Sequence, residues 1–270
     1  MSLLAILYQL VPESPILAAY NLDDRPDFSY QTPSIQSGKP RILASLDRKS
    51  GGTWLGVNQH GLLVGATPRR KYMSSMATRS RTKLCRDLLR CSNARRAVDV
   101  AMTELETGQY EGVNLVIADF EFGWVVHGGA EIDAQVLDEG LNVIGTGDVN
   151  DMRDERVARA QRLLTLQTLD SPVKFLAVAS KVFARSPSPP GRPTIVRRDP
   201  QASTLSSTLI ALGKKPRDAI YQYADGAPDQ TKYEDYSPFL RDILSRGLRE
   251  ARTKAKASSC LLYTSPSPRD

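Results

Sequence analysis

No stretch of this sequence is long and apolar enough to cross a bilayer as a helix: no window approaches about 18 uncharged apolar residues. The apolar run at the start has no basic flank and is interrupted by Gln9, Pro12 and Glu13, which argues against a cleaved signal peptide. Cysteine is scarce. Cys85, Cys91 and Cys260 are odd in number and show no metal-ligand spacing, so a disulfide framework and a cysteine-rich metal centre are both excluded, no metal is expected, and a reducing, cytoplasmic setting is. Histidine is scarcer still, at two residues, His60 and His127. Neither an internal repeat nor the glycine pattern of a phosphate loop is present.

What is present describes a globular chain of 270 residues with 41% hydrophobic and 24% charged residues, enough to bury a substantial core. Its net charge of +6 is unevenly placed. Arg69 to Arg96 contains ten Lys or Arg and a single acid, Asp87, while Arg249 to Asp270 holds five cations and two acids. Such a basic segment suits an anionic ligand or a membrane surface, and equally the solvated face of a helix. The partner expected is a small molecule rather than nucleic acid, with Arg69 and Arg70 as candidate ligand-binding cations and peripheral membrane contact through the same segment.

Patterning predicts strands over Leu3 to Leu10 and Ile16 to Tyr20, then an irregular loop from Asp24 to Lys39. Three short strands follow, Arg41 to Leu46, Thr53 to Val57 and Leu62 to Thr67, divided by turns at Ser50-Gly51-Gly52 and Asn58 to Gly61. Leu84, Leu88 and Leu89 lie at helical spacing, and a second helix restarts at Ser92 or Asn93 and stops at Gly108. A hairpin pairs Val113 to Asp119 with Trp124 to His127, and short strands are predicted at Gln135 to Leu137 and Asn142 to Gly145. Helices are predicted from Arg153 to Leu166 and from Ser171 to Ala184, a loop over Ser186 to Arg192, strands at Thr204 to Leu212 and Ala219 to Tyr223, and a last helix over Tyr236 to Gly247. This order, strands then helices then strands with hairpins and no βαβ alternation, implies α+β layers with largely antiparallel sheets. One domain is expected over residues 1–248, followed by a disordered tail over 249–270 whose ending, Leu262 to Asp270, continues no fold pattern and has the character of sequencing read-through.

The chemically suggestive residue is Ser2. A methionine before serine is normally removed, which leaves Ser2 with a free α-amine and a hydroxyl, and an amine of pKa about 8 can serve as base for its own hydroxyl.

Gly51-Gly52-Thr53-Trp54-Leu55-Gly56-Val57-Asn58, Gly61-Leu62, Asn114-Leu115-Val116-Ile117-Ala118-Asp119, Tyr223-Ala224-Asp225-Gly226-Ala227-Pro228 and Glu234-Asp235-Tyr236-Ser237 together resemble the NRDE family, also called the transport and Golgi organisation 2 family. That family is similar to the N-terminal-nucleophile hydrolases of the bile-salt-hydrolase and penicillin-acylase kind. The resemblance implies a four-layer αββα sandwich of mostly antiparallel sheets. It implies Ser2 as catalytic nucleophile in place of the usual cysteine, Asp23 as anchor of the α-amine, and Asn21 as a candidate oxyanion donor. Other expected pocket positions have lost their catalytic side chains: the hydrolases' arginine is Tyr20, their two oxyanion or pocket asparagines are Pro68 and Thr146, and a late arginine is Leu205. These changes favour a binding protein or carrier for a small hydrophobic anion, related to haem or lipid handling, over an active amide hydrolase using Ser2. No cofactor is required on this reading. Haem is a candidate ligand that His60 or His127 would touch, although a turn histidine and a strand-end histidine are more often structural.

Overall fold

A computed structural model describes residues 2–70, 78–186 and 194–261, with side chains described as far as residue 255. The chain opens with β1 (Leu3–Tyr8) and β2 (Ile16–Asp24), then runs through β3 (Tyr30–Gln36), β4 (Ile42–Asp47), β5 (Leu55–Asn58) and β6 (Leu63–Pro68). Helices α1 (Arg81–Leu88) and α2 (Ala94–Glu106) lead to β7 (Val113–Ala118), β8 (Gly123–Gly128), β9 (Ile132–Val136) and β10 (Gly140–Ile144). Then come α3 (Glu155–Leu164), α4 (Pro172–Phe183), β11 (Ser203–Leu212), a 3-10 turn at Pro216–Asp218, β12 (Ile220–Ala224), β13 (Glu234–Asp235) and α5 (Ser237–Leu261).

Two antiparallel sheets result, one in the order β10-β1-β2-β11-β12-β13 and one in the order β3 to β9 as a meander. Strand periodicity decides the layering. In β1, Leu4, Ile6 and Tyr8 face the second sheet, meeting Leu55, Leu63, Val116 and Val125 in the central core. Leu3, Ala5 and Leu7 face the opposite way, onto Val157 and Ala160 of α3 and Phe175 and Ala179 of α4. On the outer face of the second sheet, Val64, Leu115 and Val126 pack on Leu84 and Leu88 of α1 and Ala97 and Ala101 of α2. The architecture is therefore the αββα sandwich expected.

The Gly52 motif has a packing reason. A Cβ there would lie 2.2 Å from the Thr82 carbonyl carbon, so only glycine lets α1 approach closely enough for the Thr53 N–H to donate to the Thr82 carbonyl at 2.8 Å.

Three details differ from the sequence pattern. The segment expected as an irregular loop contains β3, an edge strand whose register slips between Gln31 and Ser34. Pro33 lies within that slip, where its missing N–H disturbs no ladder bond, so its presence does not break the strand. Helix α5 runs on to Leu261, past Gly247 and into the segment where composition predicts a disordered tail. The residues after Gly247, Leu-Arg-Glu-Ala-Arg-Thr-Lys-Ala-Lys-Ala, are mostly strong helix formers, and Gly247 is required by the close approach of the helix to the Asn58–Gly61 turn, since a Cβ there would lie 1.9 Å from the Gln59 carbonyl oxygen. Strand β9 also starts earlier than Gln135. The proline-rich loop falls mostly, and the Leu262 to Asp270 ending wholly, outside the described residues.

Candidate functional site

Ser2 precedes β1 and is 3% exposed. Its Oγ accepts the backbone N–H of Asp23 at 3.2 Å, because β1 and β2 are antiparallel with Leu3 opposite Asn21, which brings Asp23 back beside the chain start. The Asp23 carboxylate is fully enclosed. One oxygen accepts the Thr204 hydroxyl at 2.7 Å across the β2–β11 pairing, and the other forms an ion pair with Arg156. Arg156 also donates from Nε to the Ile195 carbonyl at 3.1 Å, tying residues 194–197 over the end of the sheet. It is placed by the start of α3, where the Asp154 N-cap carboxylate accepts the Arg156 N–H at 2.9 Å.

These groups border a cavity of about 160 Å³ lined by Ser2, Gly145, Thr146, Asp154, Arg156 and Arg197, among others. Arg197 is itself paired with Asp199 at 2.6 Å.

Tyr20 lies on the opposite face of β2 from Asn21 and Asp23. Its hydroxyl donates to the Ala66 carbonyl at 2.7 Å, joining the two sheets. Burial pushes the phenol far above its usual pKa, so it stays neutral.

A second polar cluster stands behind Thr146. The Asn114 side-chain amide donates to the carbonyls of Gly145 at 3.2 Å and Gly147 at 3.0 Å, and Thr67 Oγ1 donates to Gly145 at 2.7 Å. With its NH2 so employed, Asn114 presents Oδ1 to His127 Nδ1 at 2.8 Å, and Arg69 NH1 lies 3.3 Å from the same ring nitrogen. Arg69 NH1 reaches the same Oδ1 at 3.2 Å while NH2 pairs with Asp148 at 2.6 Å. Burial and the neighbouring Arg69 both lower the His127 pKa, so the ring is neutral near pH 7. The Arg69 hydrogen bond holds the Asp148 carboxyl below its usual range.

The expected site residues therefore separate. Ser2, Asp23, Tyr20 and Thr146 converge. Asn21 does not join them: its amide donates to the Phe183 carbonyl at 2.9 Å, closing the end of α4. Pro68 ends β6 opposite Val113, and Leu205 sits at the irregularity of β11 with its carbonyl accepting from Tyr30 at 2.9 Å; neither lines the cavity. Arg69 belongs to the second cluster and Arg70 is exposed. Much of the basic segment is internally committed, with Arg79 on Glu104, Arg81 on Glu111 at 2.8 Å, and Arg95 over the Phe122 ring; Lys71 lies outside the described residues. His60 occupies a turn, its N–H donating to Asn58. Arg156, Thr204 and Arg197 are missing from the sequence reading; the signal for Arg156 is chemical, since a buried Asp23 demands a cation. Among the described residues no group of three or more His, Cys, Asp or Glu is placed to hold a metal, and no helix is long and apolar enough to cross a membrane.

A family model for transport and Golgi organisation 2 matches residues 1–180. The chain belongs to the transport and Golgi organisation 2 family. No curated protein matches it by sequence. Solved structures that resemble this family member include penicillin V acylase from Agrobacterium tumefaciens, at 13% identity over 83% of each chain with a TM-score of 0.56. The Caenorhabditis elegans orthologue of N-acylethanolamine-hydrolyzing acid amidase matches at 13% identity over 77% of this chain and 92% of its own, with a TM-score of 0.52. A variant of conjugated bile acid hydrolase from Clostridium perfringens matches at 10% identity over 87% and 92%, with a TM-score of 0.53. At these identities the likeness establishes that this transport and Golgi organisation 2 protein shares the hydrolases' fold.

Proposed function

We propose that the cavity beside Ser2 holds the anionic end of a small, partly hydrophobic ligand, and that this protein binds or carries that ligand without hydrolysing it. One observation supports this most: the Ser2 hydroxyl is enclosed and already accepts the Asp23 N–H, in a cavity bordered by Arg156 and Arg197, with Asp154 beside them, and by no side-chain amide. A volume of about 160 Å³ suits a carboxylate and a short apolar stub, below the roughly 300 to 1,000 Å³ of sites that enclose a drug-sized ligand. Haem or an acyl lipid would therefore present only its carboxylate there, with Arg70 outside the cavity as a further cation. The free thiols Cys85 and Cys91 accord with a reducing, cytoplasmic setting.

The alternative, an amide hydrolase with Ser2 as nucleophile, is favoured by the approach of the Asp23 strand to Ser2. Intact mass of the mature protein and an acylating amide probe separate the two. A retained Met1 or an acetylated terminus, with no probe on Ser2, supports the carrier. Labelling that disappears in Ser2→Ala establishes the hydrolase. A haem titration without a Soret shift at micromolar protein removes haem as the ligand.

A further inference from the structure

An open groove, remote from Ser2, lies where the 3-10 turn Pro216–Asp218 meets α5. The groove between them has a volume of about 620 Å³ and is lined by Lys215, Pro216, Arg217, Ser245, Leu248 and Arg249. Three of these six are cations and none is an acid. Ser245, Leu248 and Arg249, three and four residues apart, share one face of α5. The walls are fixed before any ligand arrives: Arg241 of α5 donates to the Ala219 carbonyl at 2.9 Å, and the turn closes on itself through the Asp218 N–H to the Lys215 carbonyl at 3.0 Å.

The charge here differs from that of the Arg69 to Arg96 segment, where guanidinium groups are held by Asp148, Glu104 and Glu111. Among the described residues no carboxylate lies within ion-pair distance of Lys215 or Arg249. Arg217 has only Asp218 beside it, at 3.7 Å between two well-exposed groups, a pair worth little in water. The nearby carboxylate of Asp242 is engaged by Arg246 at 2.9 Å. Like charges gathered on fixed walls without a counter-charge raise the local concentration of anions. Two guanidinium forks and an ammonium suit the several oxygens of a phosphate better than a single carboxylate. Leu248, 43% exposed at the groove, adds an apolar contact.

We propose that this groove binds the phosphate group of an amphipathic anion. A lipid headgroup and a free phosphate compound present the same chemistry. The full chain is assayed against inorganic phosphate by calorimetry, and against phosphatidylcholine vesicles with and without phosphatidylserine by co-sedimentation. Lys215→Glu and Arg249→Glu are expected to weaken binding by about tenfold each, the loss of one charge-assisted hydrogen bond. Lys181→Glu, which makes the same change in net charge on an exposed residue of α4, should leave it intact, and Arg249→Lys should retain most of it. Vesicle binding that phosphate competes away identifies a lipid headgroup; phosphate binding without vesicle binding identifies a soluble ligand. Equal losses in Lys181→Glu and Arg249→Glu, or no binding of either probe by the wild-type chain, overturn the proposal. Thermal melts of each variant separate a lost site from a lost fold.

Discussion

The two buried polar clusters flanking Thr146 are made from similar groups and behave oppositely. In the first, Asp23 and Arg156 form an ion pair with side-chain exposures of 0% and 14%. In the second, Arg69 and Asp148 are 21% and 56% exposed, and the buried member is the uncharged Asn114. Water stabilises the second cluster's charges if the pair opens, whereas the first cluster's carboxylate has only protein partners. Rigidity near Ser2 is thus electrostatic on one side and, on the other, a matter of amide hydrogen bonds to two glycine carbonyls.

Breaking the buried pair should have the largest effect. Arg156→Met leaves the Asp23 carboxylate without its cation and is expected to lower stability by roughly 3 to 5 kcal/mol in chemical denaturation, and Asp23→Leu added to it should recover much of that loss. Next comes Asn114→Leu, which strips donors from the Gly145 and Gly147 carbonyls and should cost about 1 to 3 kcal/mol. The contrast is then sharpened by pH. His127 has a folded pKa below its unfolded value, so it favours the native state fully above about pH 6.5, and that contribution declines as pH falls below this. His127→Gln should flatten the melting temperature across that window, with His60→Gln, whose histidine pKa is also lowered by burial, as the comparison. Smallest is Asp148→Asn. The folded pKa of Asp148 is depressed, so its stabilisation is present above about pH 4 and lost as pH drops through the folded value. Wild type and Asp148→Asn should therefore differ by under about 1 kcal/mol near neutrality and converge in acid.

These clusters also mark what a sequence can disclose. The Ser2–Asp23 approach is legible because two strands joined by a short proline turn must pair antiparallel, and the Asn93 cap of α2 is legible because capping is local: its side chain accepts the Arg96 N–H at 2.9 Å. Arg156 is not legible, since it meets Asp23 across a separation of 133 residues and in the sequence resembles any solvated helix arginine. The placement of Asn21 is legible from strand alternation, which puts it on the face opposite Tyr20, toward α4. The interior role of Arg69, one of ten cations in its segment, depends on partners from β7, β8 and the loop after β10.

The Tyr20 hydroxyl bonded to Ala66 acts as a rivet between the two sheets. An arginine in its place would break the rivet and strand a cation in the central core, so the strand that brings Asp23 to Ser2 accepts no charge at this position without loosening the sandwich itself.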